Sequence, residues 1–259
     1  MIEVISIPTL SDNYVWLIKN SRDNSCCIVD PGAAQPVLDV IAQLDLTLTS
    51  ILITHHHYDH VDGIPAILAE NPSTPVTIYS SIAMPEFANV SLVGDGDVIT
   101  PFADDFQLTV MATPGHKREH VVYHNEQLLF SGDTLFSGGC GRILDGSACE
   151  LFHSLEKITQ LNDELLVYPT HEYTQANLMF CHAIEPHNTA LKTAIADTAK
   201  LRQRGLPTLP SRLKKEKQIN VFLRTHEPMI RARLEDKLSR LLDSEQAIFT
   251  ELRKWKDNF

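Results

Sequence analysis

The sequence predicts an α/β fold with a helical C-terminal part, on three observations. Short apolar, β-branched runs alternate with stretches of helical periodicity through the first two thirds of the chain. Residues able to ligate a metal fall just past the ends of four of those runs. From about residue 173 the strand signals fade and helical periodicity takes over. An α/β domain is therefore expected over residues 1–172, with a helical part over 173–259 packed against it.

Taken in order, residues 2–7 and 14–19 read as strands separated by the turn Ser11-Asp12-Asn13. Cys26-Cys27-Ile28-Val29 is a third, ended by Asp30-Pro31-Gly32. Residues 36–44 carry apolar side chains at helical spacing. Ser50-Ile51-Leu52-Ile53 reads as a buried strand, followed by a helix near 64–70 and a strand at 75–79. The stretch 84–97 is rich in turn residues. Residues 106–112, 121–123 and 128–131 read as strands, 148–160 as a helix and 165–168 as the last clear strand. The break Leu206-Pro207-Thr208-Leu209-Pro210 splits the helical part. No tandem repeat or low-complexity tract is visible.

The densest chemistry lies at 54–60, Thr-His-His-His-Tyr-Asp-His, directly after the strand 50–53. In extended chain residues i and i+2 face the same way, so His55 and His57 can converge on one ion. Asp59 and His60 follow once the chain has turned and can face a second point nearby. Imidazole and carboxylate together suit zinc, iron or manganese, and a motif without thiolate argues against a structural cysteine-type zinc site. An expression tag would not be internal, interrupted and attached to a buried strand. The arrangement recurs: His116 follows 106–112 in Thr-Pro-Gly-His, Asp133 follows 128–131 in Gly-Asp-Thr, and His171 follows 165–168. One residue of this kind would read as a turn or cap; three of them beside a four-ligand motif read as a set. Seven ligands are too many for one tetrahedral ion. The count fits two ions roughly 3.5–4 Å apart: His55, His57 and His116 on the first, Asp59, His60 and His171 on the second, and Asp133 bridging.

The chain is 259 residues long with a formal charge of −11, which argues against a general nucleic-acid binder. Its five cysteines (26, 27, 140, 149 and 181) are odd in number and contain no C-x-x-C, so neither a disulfide framework nor a cysteine zinc site is indicated. The N-terminus lacks a basic start leading into a long apolar core, and no apolar run is long enough to span a bilayer. A reduced, cytoplasmic monomer without nucleic-acid or membrane partners is expected.

These motifs resemble those of the metallo-β-lactamase superfamily: T-H-H-H-Y-D-H at 54–60, T-P-G-H at 113–116, G-D-T at 132–134 and H-E-Y-T at 171–174. Within it the chain is similar to the hydroxyacylglutathione hydrolases, or glyoxalases II, through G-D-T-L-F-S-G-G-C-G-R at 132–142, Q-I-N-V-F-L-R at 218–224 and R-K-W-K-D at 253–257. The resemblance implies an αββα sandwich with a C-terminal helical domain that binds glutathione. It also implies a pair of divalent metals, with zinc expected and iron or manganese as alternatives. The implied reaction is hydrolysis of S-D-lactoylglutathione to D-lactate and glutathione by a metal-bridging hydroxide that Asp59 and Asp133 orient, the second step of methylglyoxal detoxification. Arg142, Tyr173, Arg253 and Lys256 match the family's glutathione-binding positions, and arginine can grip a carboxylate bidentately.

The chain departs from the family pattern at several points. Lys117-Arg118-Glu119 replaces T-x-G before His120, Asp62 stands for glycine, Leu144 for an aromatic and Asp145 for glutamate. All seven metal positions are kept, so these changes bear on substrate affinity and metal preference more than on the reaction. Rival readings are a glutathione persulfide dioxygenase of the same fold, against which the long helical tail counts, and a non-catalytic glutathione- or metal-binding protein.

Overall fold

The computed structural model describes residues 2–71, 75–102 and 106–259. They form two compact units: Met1–Ala112 with Glu119–Asn125 and Leu129–Gly132, and Thr113–Arg118 with Glu126–Leu128 and Asp133–Phe259.

The first unit begins with strands β1 (Ile2–Thr9), β2 (Asn13–Asn20) and β3 (Ser25–Val29), which pair antiparallel in sequence. Helix α1 (Gln35–Gln43) then leads to β4 (Thr47–Leu52), which lies parallel to β3. A parallel neighbour requires a crossover, and α1 supplies it with Pro36 in its first turn and Val37 and Ile41 on its buried face. A single helical turn, α2 (Tyr58–Val61), and helix α3 (Ile64–Ala69) return the chain to β5 (Thr77–Ser80), followed by the edge strand β6 (Val90–Leu92). Val15, Leu17, Ile28 and Ile51 of this sheet, with Ile53 just past β4, meet Val37, Ile41, Ile64 and Ile67 in one core.

The unit's second sheet is antiparallel, with β7 (Val98–Ile99), β8 (Leu108–Ala112), β9 (Val121–His124) and β10 (Leu128–Gly132) side by side in that order. The fully buried Tyr123 of β9 donates its hydroxyl to the carbonyls of Ile53 (2.9 Å) and Tyr79 (3.1 Å), and the Val121 amide donates to the Thr54 carbonyl (2.9 Å). The second sheet thus grips the end of β4 just where the histidine motif begins. β6 and β7 were not visible as strands in the sequence. They are three and two residues long, and Leu92 and Val98 face solvent, so neither carries an alternating burial pattern.

The second unit opens with the two-residue strands β11 (Leu135–Phe136) and β12 (Gly139–Cys140), paired antiparallel. Helix α4 (Ala148–Thr159) starts on a capping box: Ser147 accepts from the Glu150 amide and donates to the Glu150 carboxylate. β13 (Leu166–Pro169) pairs with β14 (Ser211–Arg212), a short strand the Pro-rich break had hidden. The helical region expected after residue 173 comprises α5 (Thr174–Ile184), α6 (Thr189–Gln203), α7 (Leu213–Ile219), α8 (Pro228–Leu238) and α9 (Glu245–Asp257). Its core is aromatic. Phe180 stacks on Phe222, and Phe249 meets both Phe222 and Phe152 of α4. Among the described residues no helix is long and apolar enough to cross a membrane.

All five cysteines are free thiols, and only Cys149 is exposed. Burial pushes the Cys26 and Cys181 thiols up to about 12 and raises Cys140 despite Arg253 beside it. Thiolate is the reactive form, so a thiol reagent should label one site per native chain rapidly and the other four only on unfolding. Rapid labelling of two or more native thiols would contradict this burial pattern.

Candidate metal centre

The first unit carries four of the seven expected donors. His55 and His57 lie in extended chain past β4, and the alternation expected from sequence is realised: His55 Nε2 and His57 Nδ1 are 2.9 Å apart. Two nitrogens on one tetrahedral ion, each about 2.0–2.1 Å from it, would be separated by roughly 3.3 Å. The turn α2 then presents Asp59 and His60 together, with His60 Nε2 3.7 Å from Asp59 Oδ2.

Two residues overlooked in the sequence hold this group. Asp30, just past β3 and buried, accepts from the Thr54 amide (2.8 Å) and hydroxyl (2.7 Å), and its Oδ2 lies 2.9 Å from His60 Nδ1. The carboxylate lies on the Nδ1 edge of the ring, and Nε2 on the other edge is the nitrogen nearer Asp59. Asn13 at the start of β2 donates to Asp59 Oδ2 (3.1 Å) and reaches the Asp59 carbonyl (3.4 Å). The buried ring of His120 stacks on His55 at 4.9 Å. Asp30 had a signal, since it follows a strand just as Asp133 does, but in Asp-Pro-Gly it reads as a turn. Asp30→Asn should weaken metal retention by about 10–100-fold, read as faster loss of metal to a chelator. Unchanged retention would remove Asp30 from the support of His60.

The second unit carries the other three donors, all buried. His116 Nε2 lies 3.5 Å from Asp133 Oδ2, and His171 Nε2 lies 3.5 Å from Asp133 Oδ1. One carboxylate therefore turns a different oxygen to each imidazole, as a carboxylate shared by two ions would. His116 Nδ1 donates to the Arg142 carbonyl (2.7 Å), which leaves Nε2 for a metal. Gly141 passes so close that a Cβ there would overlap the Asp133 carbonyl. His171 stacks flat on Tyr173 at 4.6 Å, with Phe136 edge-on to both rings. The donor chemistry of each unit, neutral imidazole with carboxylate, fits divalent metal ions.

The expected glutathione-binding residues belong to the second unit. The Arg142 side chain is 65% exposed, with Nε 3.5 Å from Asp257 Oδ1. Tyr173 lies against His171. Arg253 is buried: Nη1 donates to the carbonyls of Cys140 (2.9 Å) and Gly141 (3.3 Å), and Nη2 to Asp257 (3.0 Å). In this geometry Arg253 fastens the 140–141 backbone beside Arg142. The Lys256 ammonium lies over the Phe180 ring at 5.8 Å, and burial, with Arg253 nearby, lowers its pKa. Two further carboxylates brace these elements without a sequence signal. Glu216, pushed up by burial, accepts from Ser137 (2.8 Å) and the Gly138 amide (2.7 Å). Glu172 accepts from the Thr208 amide (2.8 Å) and hydroxyl (2.5 Å).

The mixed α/β sheets with histidines and carboxylates at their strand ends accord with the metallo-β-lactamase fold, and residues 8–171 match the model of the metallo-beta-lactamase superfamily. A chain from Staphylococcus aureus described as a metallo-beta-lactamase shares the fold, with TM-score 0.61 and 21% identity over 98% of this chain and 72% of that one. ETHE1 from Myxococcus xanthus is similar at TM-score 0.57 and 28% identity, over 85% of this chain and 96% of that one. Residues 172–259 match the model described as hydroxyacylglutathione hydrolase C-terminus. The hydroxyacylglutathione hydrolase of Psychromonas ingrahamii is 44% identical, and that of Aliivibrio fischeri strain MJ11 is 45% identical, each over 259 residues and the whole of both chains. The chain belongs to the hydroxyacylglutathione hydrolase family of the metallo-β-lactamase superfamily.

Proposed function

We propose that this chain is a metal-dependent thioesterase that cleaves S-(2-hydroxyacyl)glutathiones, S-D-lactoylglutathione above all, to a 2-hydroxy acid and glutathione, the second step of methylglyoxal detoxification. The observation that carries the reading is the full-length similarity to relatives of that name in a chain that keeps all seven donor residues. One divalent ion, most simply zinc, would be held by His55, His57 and His116, and a second by Asp59, His60 and His171, with Asp133 shared. Bound there, the pair would supply a Lewis acid for the thioester carbonyl and lower the pKa of water toward neutrality.

The chain's own residues supply the rest. Asp59, steadied by Asn13, orients the attacking water by accepting its proton in a hydrogen bond. Asp133, facing both His116 and His171, sets the spacing of the donors and helps hold the same water. The leaving group is a thiolate whose conjugate acid has a pKa near 8.5, so no strong general acid is required. Residues 173–259 form the substrate-binding part. Arg142, Lys256 and the Tyr173 hydroxyl contact glutathione, and Arg253 acts at the same place, gripping the glycine carboxylate or holding the turn that carries Arg142. Five free thiols accord with a reduced, cytoplasmic setting, and a monomer is sufficient.

The test is hydrolysis of S-D-lactoylglutathione by purified protein, with metal content measured on the same sample. About two metals per chain and turnover that collapses in His171→Ala support the proposal. Two metals without turnover would refute the substrate assignment. One iron with oxygen uptake on glutathione persulfide would replace the reaction.

A further inference from the structure

The departures at 117 and 145 meet each other, and Arg118 joins them. Lys117 Nζ lies 2.6 Å from Asp145 Oδ2, and the lysine side chain is only 13% exposed. The Arg118 amide donates to Asp145 Oδ1 (2.9 Å) and the Arg118 Nε to the Asp145 carbonyl (2.8 Å). Alongside, the Leu144 amide donates to the His116 carbonyl (3.3 Å), His116 Nδ1 donates to the Arg142 carbonyl (2.7 Å), and Gly146 packs directly on the Gly115 backbone. Residues 142–146 contain no helix or strand, so the internal ladders that order other segments are absent from this loop. It is instead fastened along its length to residues 115–118.

We propose that Lys117, Arg118 and Asp145 form a tie that fixes the 142–146 loop and thereby positions Arg142 for the glutathione moiety. This rests on the thioesterase reading. The three are positioning residues and touch no reacting atom. Arg142 projects largely into solvent, and among the described residues the contact recorded for the far end of its side chain is that of Nε with Asp257. Its placement therefore follows from its backbone, and the tie places that backbone. A loop already ordered spares the substrate the entropy of ordering it, a gain in binding and not in the chemical step. The charged run 117–119 is accordingly a device for substrate affinity, with two of its three side chains committed to Asp145.

The experiment compares the metal-loaded, full-length protein with Asp145→Ala, Lys117→Ala, Lys117→Arg and the Lys117→Ala/Asp145→Ala double variant. It reads hydrogen exchange at 142–146, calorimetric binding of S-methylglutathione, and KM against kcat for S-D-lactoylglutathione. The alanine variants should exchange faster at 142–146 and raise KM and the S-methylglutathione Kd by about tenfold, with kcat and metal content held within about twofold. Lys117→Arg should restore most of the affinity, and the double variant should lose little more than either single one. Faster exchange with unchanged KM and Kd overturns the proposal. So does a fall in kcat with loss of metal, which would mean that the tie serves His116. If the unaltered protein neither hydrolyses the thioester nor binds S-methylglutathione, the thioesterase reading fails by itself. Unchanged exchange in Asp145→Ala overturns the tie whatever the substrate.

Discussion

Asp133→Asn should cut thioester hydrolysis by about a thousandfold, on the order of 4 kcal/mol of transition-state stabilisation, and reduce bound metal from about two ions per chain to one or fewer. The expectation rests on the double use of one carboxylate, with Oδ2 toward His116 and Oδ1 toward His171. Asparagine keeps the shape but replaces one oxygen with an NH2 group, a donor where an anionic acceptor is needed, and removes the negative charge. The metal-free variant should unfold near the temperature of the metal-free parent, because the loss falls on ion binding and not on the core. Metal analysis, kinetics and thermal unfolding of the two proteins, with and without chelator, decide it. A fully metallated Asp133→Asn with near-parental turnover would show that this carboxylate is not shared.

Gly32→Ala should be nearly as damaging, though Gly32 carries no chemistry. A Cβ there would overlap the carbonyl oxygen and carbon of Asp59, both backbone atoms that cannot rotate away. The turn bearing Asp59 and His60 would have to shift, and a displacement near 1 Å in a catalytic arrangement can cost about a hundredfold in rate. Overpacking of this kind also destabilises by about 1–3 kcal/mol. Gly94→Ala is the control: a Cβ there meets nothing nearer than an Asp97 carboxylate oxygen at 3.9 Å, so its effect should stay within about 0.5 kcal/mol. Equal behaviour of the two variants in thermal unfolding and hydrolysis would refute the close approach of residues 32 and 59.

The extent to which the site was legible in the sequence follows from the range of each interaction. His55 and His57 could be paired because alternation in extended chain is a local rule, and their ring nitrogens do meet at 2.9 Å. Asp59 and His60 could be set apart from them because the motif runs into a turn, which is α2. Asp30 obeys the same strand-end rule as Asp133 but was masked by the turn residues beside it, and its hydrogen bond to Thr54 and its approach to His60 span chain that no local pattern links. Arg253 is the sharpest contrast. The motif that names it is local, whereas its Nη1 donates to a carbonyl 113 residues earlier in the chain, a contact that no local pattern carries. The missed strands β6, β7, β11, β12 and β14 are two or three residues long, below the length at which periodicity can register.

The sequence by itself determined the α/β class, the helical C-terminal part, the identities of all seven candidate donors and the family, because these depend on residue type, spacing and periodicity. Only the tertiary structure decided which side chains lie against two of those donors, Asp30 beside His60 and Asn13 on Asp59, and which lie about the Arg142 loop, Arg253 and Asp257 beside Arg142 and Lys117 on Asp145. The physical reason is that a charged or polar group buried by folding must find a partner, and that partner is whichever group the packed chain brings near, however distant in sequence.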